Sequence, residues 1–274
     1  MASLVEDQAA GLRRIFSRAK EPVGIAFAGS RGAAGRGAIV AGLARGLAAL
    51  GKEVIVVDEN PGADSVAAAF GIASRFDLLQ AVNCDVPLAQ VLLRPEHAVS
   101  IVPAARAARE SARLDGMRRH ALAEWLQRLQ KGADFVLTDT SGRGAGGFSP
   151  LVPAPQRTIV VAAANSLSIT EAYAQIKRMA QEGGCRRFEV VVARAAGLRE
   201  GETVFSNMRE VARRHLGVEL ELLGCLPAQG APGPACRALA EALLRQRRPD
   251  EEAGLGARLL HFGRGLRSAP HPVV

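Results

Sequence analysis

The stretch from Val23 to Leu47 constrains the fold more than any other part of the chain. Val23-Gly-Ile-Ala-Phe-Ala28 is an apolar run of strand length, Gly29-Ser-Arg-Gly-Ala-Ala-Gly-Arg-Gly37 is a glycine-rich loop, and an Ala/Leu-rich helical run follows. Strand, glycine-rich loop and helix in that order are the layout of a phosphate-binding loop. Backbone N–H groups of such a loop point at an anion, and the helix N-terminus adds a favourable dipole. The chemistry inside this loop departs from the pattern Gly-x-x-x-x-Gly-Lys-Ser/Thr. Ser30 stands at the first glycine, Gly35 at the second, Arg36 at the lysine and Gly37 at the hydroxyl residue. The candidate nucleotide site is Ser30, Arg31, Gly32, Ala33, Ala34, Gly35, Arg36 and Gly37, and it retains no hydroxyl at the position that would hold magnesium.

Apolar strands are expected at 53–57, 99–102, 134–138, 158–163, 188–193 and 219–224, alternating with helices at 109–131, 168–181, 201–216 and 234–247. Residues 63–98 read as short helices broken at Gly71 and Pro87. Continuous apolar strands alternating with helices predict an α/β fold: one domain with a mostly parallel sheet and helices on both faces. Ligands of such sheets sit at the C-terminal strand ends. Asp58-Glu-Asn-Pro-Gly62 and Asp139-Thr-Ser-Gly142 fall at two of those ends, with Asn60 and Asp139 as the candidate catalytic positions.

Two segments flank this core, which spans 22–248. In residues 1–21, Ser3-Leu-Val-Glu6 reads as a capping box, Val5, Ala9, Leu12 and Phe16 follow helical spacing, and Glu21-Pro22 stops the run. In residues 249–274, Leu255, Leu259, Phe262 and Leu266 share one helical face beside Arg258, His261, Arg264 and Arg267, the pattern of a helix lying on a membrane. The net charge of +8 favours acidic partners, but 31 of the 35 basic residues are arginine, a bias that genome composition can produce. No aromatic-interleaved basic patch or reading helix accompanies the charge, which ranks nucleic acid last. The four cysteines form no Cys-x-x-Cys pair, so neither a zinc site nor a disulfide framework is expected. The sequence contains no apolar run of bilayer-spanning length. These features together predict a cytoplasmic chain with peripheral contact at the inner face of the cell membrane.

Several stretches together resemble the FlhG family (also called FleN or YlxH), MinD/ParA-type proteins that regulate flagellar number and placement. Asp7-Gln-Ala-x-x-Leu-Arg13 is similar to the family's N-terminal motif, and Ser168-Ile-Thr-Glu-Ala-Tyr173 to its Ser-Ile-Thr-Asp-Ala-Tyr segment. Arg31-Gly-Ala-Ala-Gly-Arg-Gly37 looks like a decayed deviant Walker A loop. Val56 to Gly62 sits at the family's Asp-x-Asp-x-Gly, Leu137 to Gly142 at its switch II, and Leu223-Gly-x-x-Pro227 at its late strand end. The departures all touch nucleotide chemistry. Arg31 and Arg36 replace lysines, and Asn60 replaces the aspartate that orients water. Ala193 stands where an adenine-reading asparagine is common. Asp139 alone keeps a metal-associated position.

The resemblance implies a regulator whose N-terminal helix, through Asp7, Gln8, Ala9, Leu12 and Arg13, binds and stimulates the GTPase FlhF, with flagellar switch components as further partners. The loop departures imply a pseudo-ATPase with ATP binding weak or lost and no magnesium. The alternative is an active MinD-like ATPase that forms an ATP-bound homodimer and binds membrane through Leu255, Leu259, Phe262 and Leu266.

Overall fold

A computed structural model describes residues 21–29, 35–228 and 232–246. The expectations for residues 1–20, 30–34 and 247–274 lie outside the described residues. These include the N-terminal partner contact, most of the loop and the cationic tail.

Eight strands form one sheet: β1 (Val23–Gly29), β2 (Val54–Asp58), β3 (Leu93–Glu96), β4 (Val99–Pro103), β5 (Phe135–Asp139), β6 (Arg157–Ala163), β7 (Arg187–Ala195) and β8 (Glu219–Pro227). Their order is β3-β4-β2-β5-β1-β6-β7-β8. Every pairing is parallel except β3 with β4, which is antiparallel at the edge. Sequence patterning does not reveal β3, Leu-Arg-Pro-Glu. It alternates half-buried and exposed residues and carries a proline, which only an edge strand tolerates.

Helix α1 (Arg36–Ala49) follows the loop. The short helices α2 (Val66–Ala69), α3 (Leu78–Val82) and α4 (Leu88–Val91) come next. Then follow α5 (Ala105–Glu110), α6 (Gly116–Gln130), α7 (Ser166–Gln181), α8 (Leu198–Leu216) and α9 (Pro232–Arg245). The single helix expected over 109–131 is two. Leu114 is extended, and Asp115 caps α6 by accepting a hydrogen bond from the Arg118 N–H at 2.8 Å. An Asp-Gly pair favours a fresh helix start over continuation.

Strand alternation divides the core. Ile25, Phe27, Val54, Val56, Ile101 and Leu137 face α1 and α9, whereas Val160, Val190 and Val192 face α7 and α8. Ile55, Val57, Val102 and Val136 face α3, α5 and α6. α1 lies close against α9 because both approach through small residues. A Cβ on Gly42 would fall 2.4 Å from the Cys236 Sγ, and one on Gly46 would fall 2.9 Å from the Ala240 Cβ. This packing seats α1 with its N-terminus at the C-terminal ends of β1 and β5, where the strand order reverses about the first strand.

Candidate functional site

Register brings the candidate residues together. Asp139 pairs with Phe27 on one side and Asp58 on the other, so both carboxylates leave neighbouring strands at the same level. The chain leaves β1 at Gly29 and re-enters at Gly35, which adopts the left-handed conformation (φ 62°) and leaves α1 without a side-chain cap. Arg36, the first residue of α1, is 5% exposed. Its Nε donates to the Asp139 Oδ1 at 2.5 Å, one terminal nitrogen to the Thr140 carbonyl at 2.9 Å, and the other to the Gly29 carbonyl at 3.2 Å. All three guanidinium nitrogens are thus committed to protein acceptors.

Gly37, at the hydroxyl position, lies against the segment after β2. A Cβ there would fall 2.1 Å from the Asp64 carbonyl oxygen and 3.0 Å from the backbone carbons of Asp64 and Ser65. Main chain fills the space that a serine or threonine side chain would need. Among the described residues no group of three His, Cys, Asp or Glu side chains is arranged to hold a metal ion. In the described part of the site the cationic side chain, Arg36, is bound to Asp139, and main chain occupies the place that a side-chain hydroxyl at position 37 would take.

The remaining polar groups tie two loops together. Asp58 accepts from the N–H groups of Asn60, Val66 and Ala67, which caps α2. Asn60 donates its side-chain amide to the Asp139 carbonyl at 2.9 Å, so it serves as a strut between β2 and β5. Glu59, which the sequence pattern does not single out, is 2% exposed. It accepts from both the N–H and the hydroxyl of Ser141, at 2.8 and 2.9 Å, and from the Ser149 hydroxyl. Burial, reinforced by the charge on Asp139, pushes the Asp58 carboxyl up to about 7. Burial also raises Glu59, against its hydroxyl and backbone donors.

The segment resembling Ser-Ile-Thr-Asp-Ala-Tyr has a structural role. The fully buried Ser168 hydroxyl accepts from the Ala163 N–H at 2.8 Å and joins the end of β6 to α7, while Tyr173 packs among apolar neighbours. Ala193 is buried in β7, and the next residue, Arg194, is exposed with φ 57° at an irregular pairing with β8. Two clefts lie elsewhere. One of about 400 Å³ is at the N-terminal ends of β6 and β7, and one of about 330 Å³ lies between α1 and α9. Neither touches the strand ends bearing Asp58 and Asp139. Among the described residues no helix is long and apolar enough to cross a membrane.

Comparison with known proteins identifies the family and the fold. The family model described as cellulose biosynthesis protein BcsQ matches residues 23–169, more than half of the chain. Antiactivator FleN of Pseudomonas aeruginosa is 30% identical over 203 residues, covering 74% of this chain and 72% of that protein. The chain belongs to the P-loop family that holds BcsQ and FleN. Within it, the flagellum site-determining protein YlxH of Helicobacter pylori is 23% identical over 206 residues, 74% of this chain and 68% of that protein. Among solved structures, the MinD of the Aquifex aeolicus MinC:MinD complex superposes with a TM-score of 0.60 at 20% identity, covering 83% of this chain and 97% of that one. MinD of Pyrococcus horikoshii, solved with Mg-ADP, gives 0.56 at 16% identity, covering 85% and 98%. These place the fold in the MinD/ParA class.

Proposed function

We propose that the protein regulates flagellar number and placement through protein contacts, with ATP hydrolysis lost and ATP binding weak or absent. The observation that carries the flagellar reading is the 30% identity to FleN over three-quarters of the chain. The BcsQ match ends at residue 169, inside α7, whereas the FleN match extends over 203 residues. The flagellar reading is therefore preferred to one in cellulose synthesis. In this reading residues 1–21, through Asp7, Gln8, Ala9, Leu12 and Arg13, bind an FlhF-like GTPase and order its active site, contributing no nucleotide chemistry themselves.

The loss of hydrolysis is supported by the commitment of Arg36 to Asp139 and by the closed position at Gly37. Phosphoryl transfer depends almost wholly on positioning and electrostatic stabilisation. This chain has an asparagine strut where a water-orienting carboxylate would stand and a bound guanidinium where a free cation would stand. The Mg-ADP complex of a fold relative favours the second reading, an ATP-driven dimer cycling on membrane. One titration separates them. A fluorescent ATP analogue, with and without magnesium and with phosphate release followed in parallel, should show no magnesium-dependent binding and no turnover. Tight magnesium-dependent binding with turnover would establish the second reading. For the partner, a peptide of residues 1–20 should accelerate the cognate GTPase, and failure to bind it would remove that role.

A further inference from the structure

We infer that Arg36 is a built-in cation that sets the two loops of the nucleotide site, residues 58–66 and 139–149, in one arrangement without metal or nucleotide. This deepens the reading of the site as retired from phosphoryl transfer and rests on it.

Three carboxylates are buried at these strand ends: Asp58 and Glu59 at 3% and 2% exposed and Asp139 at 1%. Buried carboxylates are costly unless paired and hydrogen-bonded. Among the described residues, Arg36 is the cationic side chain whose hydrogen bonds enter this cluster. Its planar fork reaches a carboxylate and two carbonyls at once, which a lysine ammonium does with poorer geometry. Through those acceptors it joins α1 to the end of β1 at Gly29 and to the start of the second loop at Asp139 and Thr140.

The two loops are then cross-braced by groups that need no ligand. Asn60 donates to the Asp139 carbonyl, and Glu59 accepts from Ser141 and Ser149. Arg178 on α7 donates to the Gly142 carbonyl at 3.0 Å. Glycines let the second loop pack tightly on the turn that follows α7, since a Cβ on Gly146 would fall 2.4 Å from the Gly183 Cα. The Asp64–Ser65 backbone seals the position beside Gly37 from the other side. Charge, strut and steric closure all favour the same fixed arrangement. A loop set by internal bonds gains nothing from a ligand that would have to break them first, because a ligand shifts an equilibrium only by its differential affinity for the two states.

The test is hydrogen–deuterium exchange of the full chain in metal-free, nucleotide-free buffer, repeated with millimolar Mg²⁺ and Mg-ATP. In the wild type, exchange at 58–66 and 139–149 should be the same in all three. Arg36→Gln should speed exchange in both loops by about tenfold or more, the effect of about 1.4 kcal/mol, and leave β7 and β8 unchanged. Arg36→Lys, which keeps the charge, should restore part of the protection. Wild-type loops that gain protection with Mg²⁺ or Mg-ATP would overturn the inference. So would an Arg36→Gln chain whose loops exchange at the wild-type rate. If Arg36→Gln does not fold, the wild-type comparison and Arg36→Lys decide, the latter by loosening confined to the two loops. Turnover is read separately as phosphate release, so phosphate release from a wild type whose loops stay indifferent to ligand would sink the hydrolysis-lost reading without touching the clamp.

Discussion

Gly37→Ala is the smallest change that tests whether main chain has closed the hydroxyl position. Gly37 lies in α1 with an ordinary helical backbone, so alanine carries no conformational penalty there and should favour the helix. The cost is steric. The new methyl would fall 2.1 Å from the Asp64 carbonyl oxygen. A relaxed carbon–oxygen contact is about 3.3 Å, so the Asp64–Ser65 peptide must retreat by about 1 Å. That peptide has little freedom. Ser65 caps α2 by accepting from the Ala68 N–H at 3.0 Å, and the next two N–H groups donate to Asp58 at 2.8 and 3.2 Å. Overpacking together with weakening of one of these charge-assisted bonds amounts to about 2–4 kcal/mol. For a domain of this size the melting temperature should fall by about 5–15 °C. Gly116→Ala is the control: it also lies in a helix, its Cβ meets nothing within 4 Å, and it should be neutral or slightly stabilising. Thermal and urea unfolding of the two variants side by side measure the difference. A Gly37→Ala chain as stable as Gly116→Ala would refute the closure, and with it half of the case against magnesium.

Three further outcomes are expected. Burial, with the Asp139 charge, pushes the folded Asp58 carboxyl up to about 7 from the usual 3.8, so between about pH 4 and 7 the folded state holds a proton that the unfolded state has lost. Stability should therefore fall as pH rises through that window, by at most about 4 kcal/mol from this group. Asp58→Asn should shallow the slope of urea midpoint against pH, and an unchanged slope would clear Asp58 of the effect. Arg157 and Glu189, each 2% exposed, pair through two hydrogen bonds of 2.7 Å, and Arg157 also donates to the Leu243 carbonyl at the end of α9. Glu189→Gln should cost about 3–5 kcal/mol by stranding the guanidinium, and the double change Arg157→Met with Glu189→Leu should cost less, as urea unfolding would show. Asp77 caps α3 at the Leu79 N–H and also accepts from the Arg106 and Ala107 N–H groups at the start of α5. Asp77→Ala should lower stability by about 2–3 kcal/mol, with exchange rising first at those three amides.

The sequence by itself determined the architecture. A run such as Val54 to Val57 is apolar on both faces, and only a sheet covered on both sides can bury it. A glycine-rich loop between strand and helix locates the site at the strand ends. Local rules also show that Arg36, Gly37 and Asn60 depart from the usual pattern. They do not show what surrounds these positions, because that depends on groups far apart in the chain. Asp139 meets Arg36 across 103 residues, and Ser149 meets Glu59 across 90. Glu59 reads as one acidic residue in a polar turn until the β2–β5 register buries it beneath the second loop. The edge strand β3 was illegible for a related reason: its pairing with β4, not its propensity, makes it a strand. Only the tertiary structure decided that the arginine in the loop turns inward to an aspartate, because strand register and the α1–α9 contact set that distance.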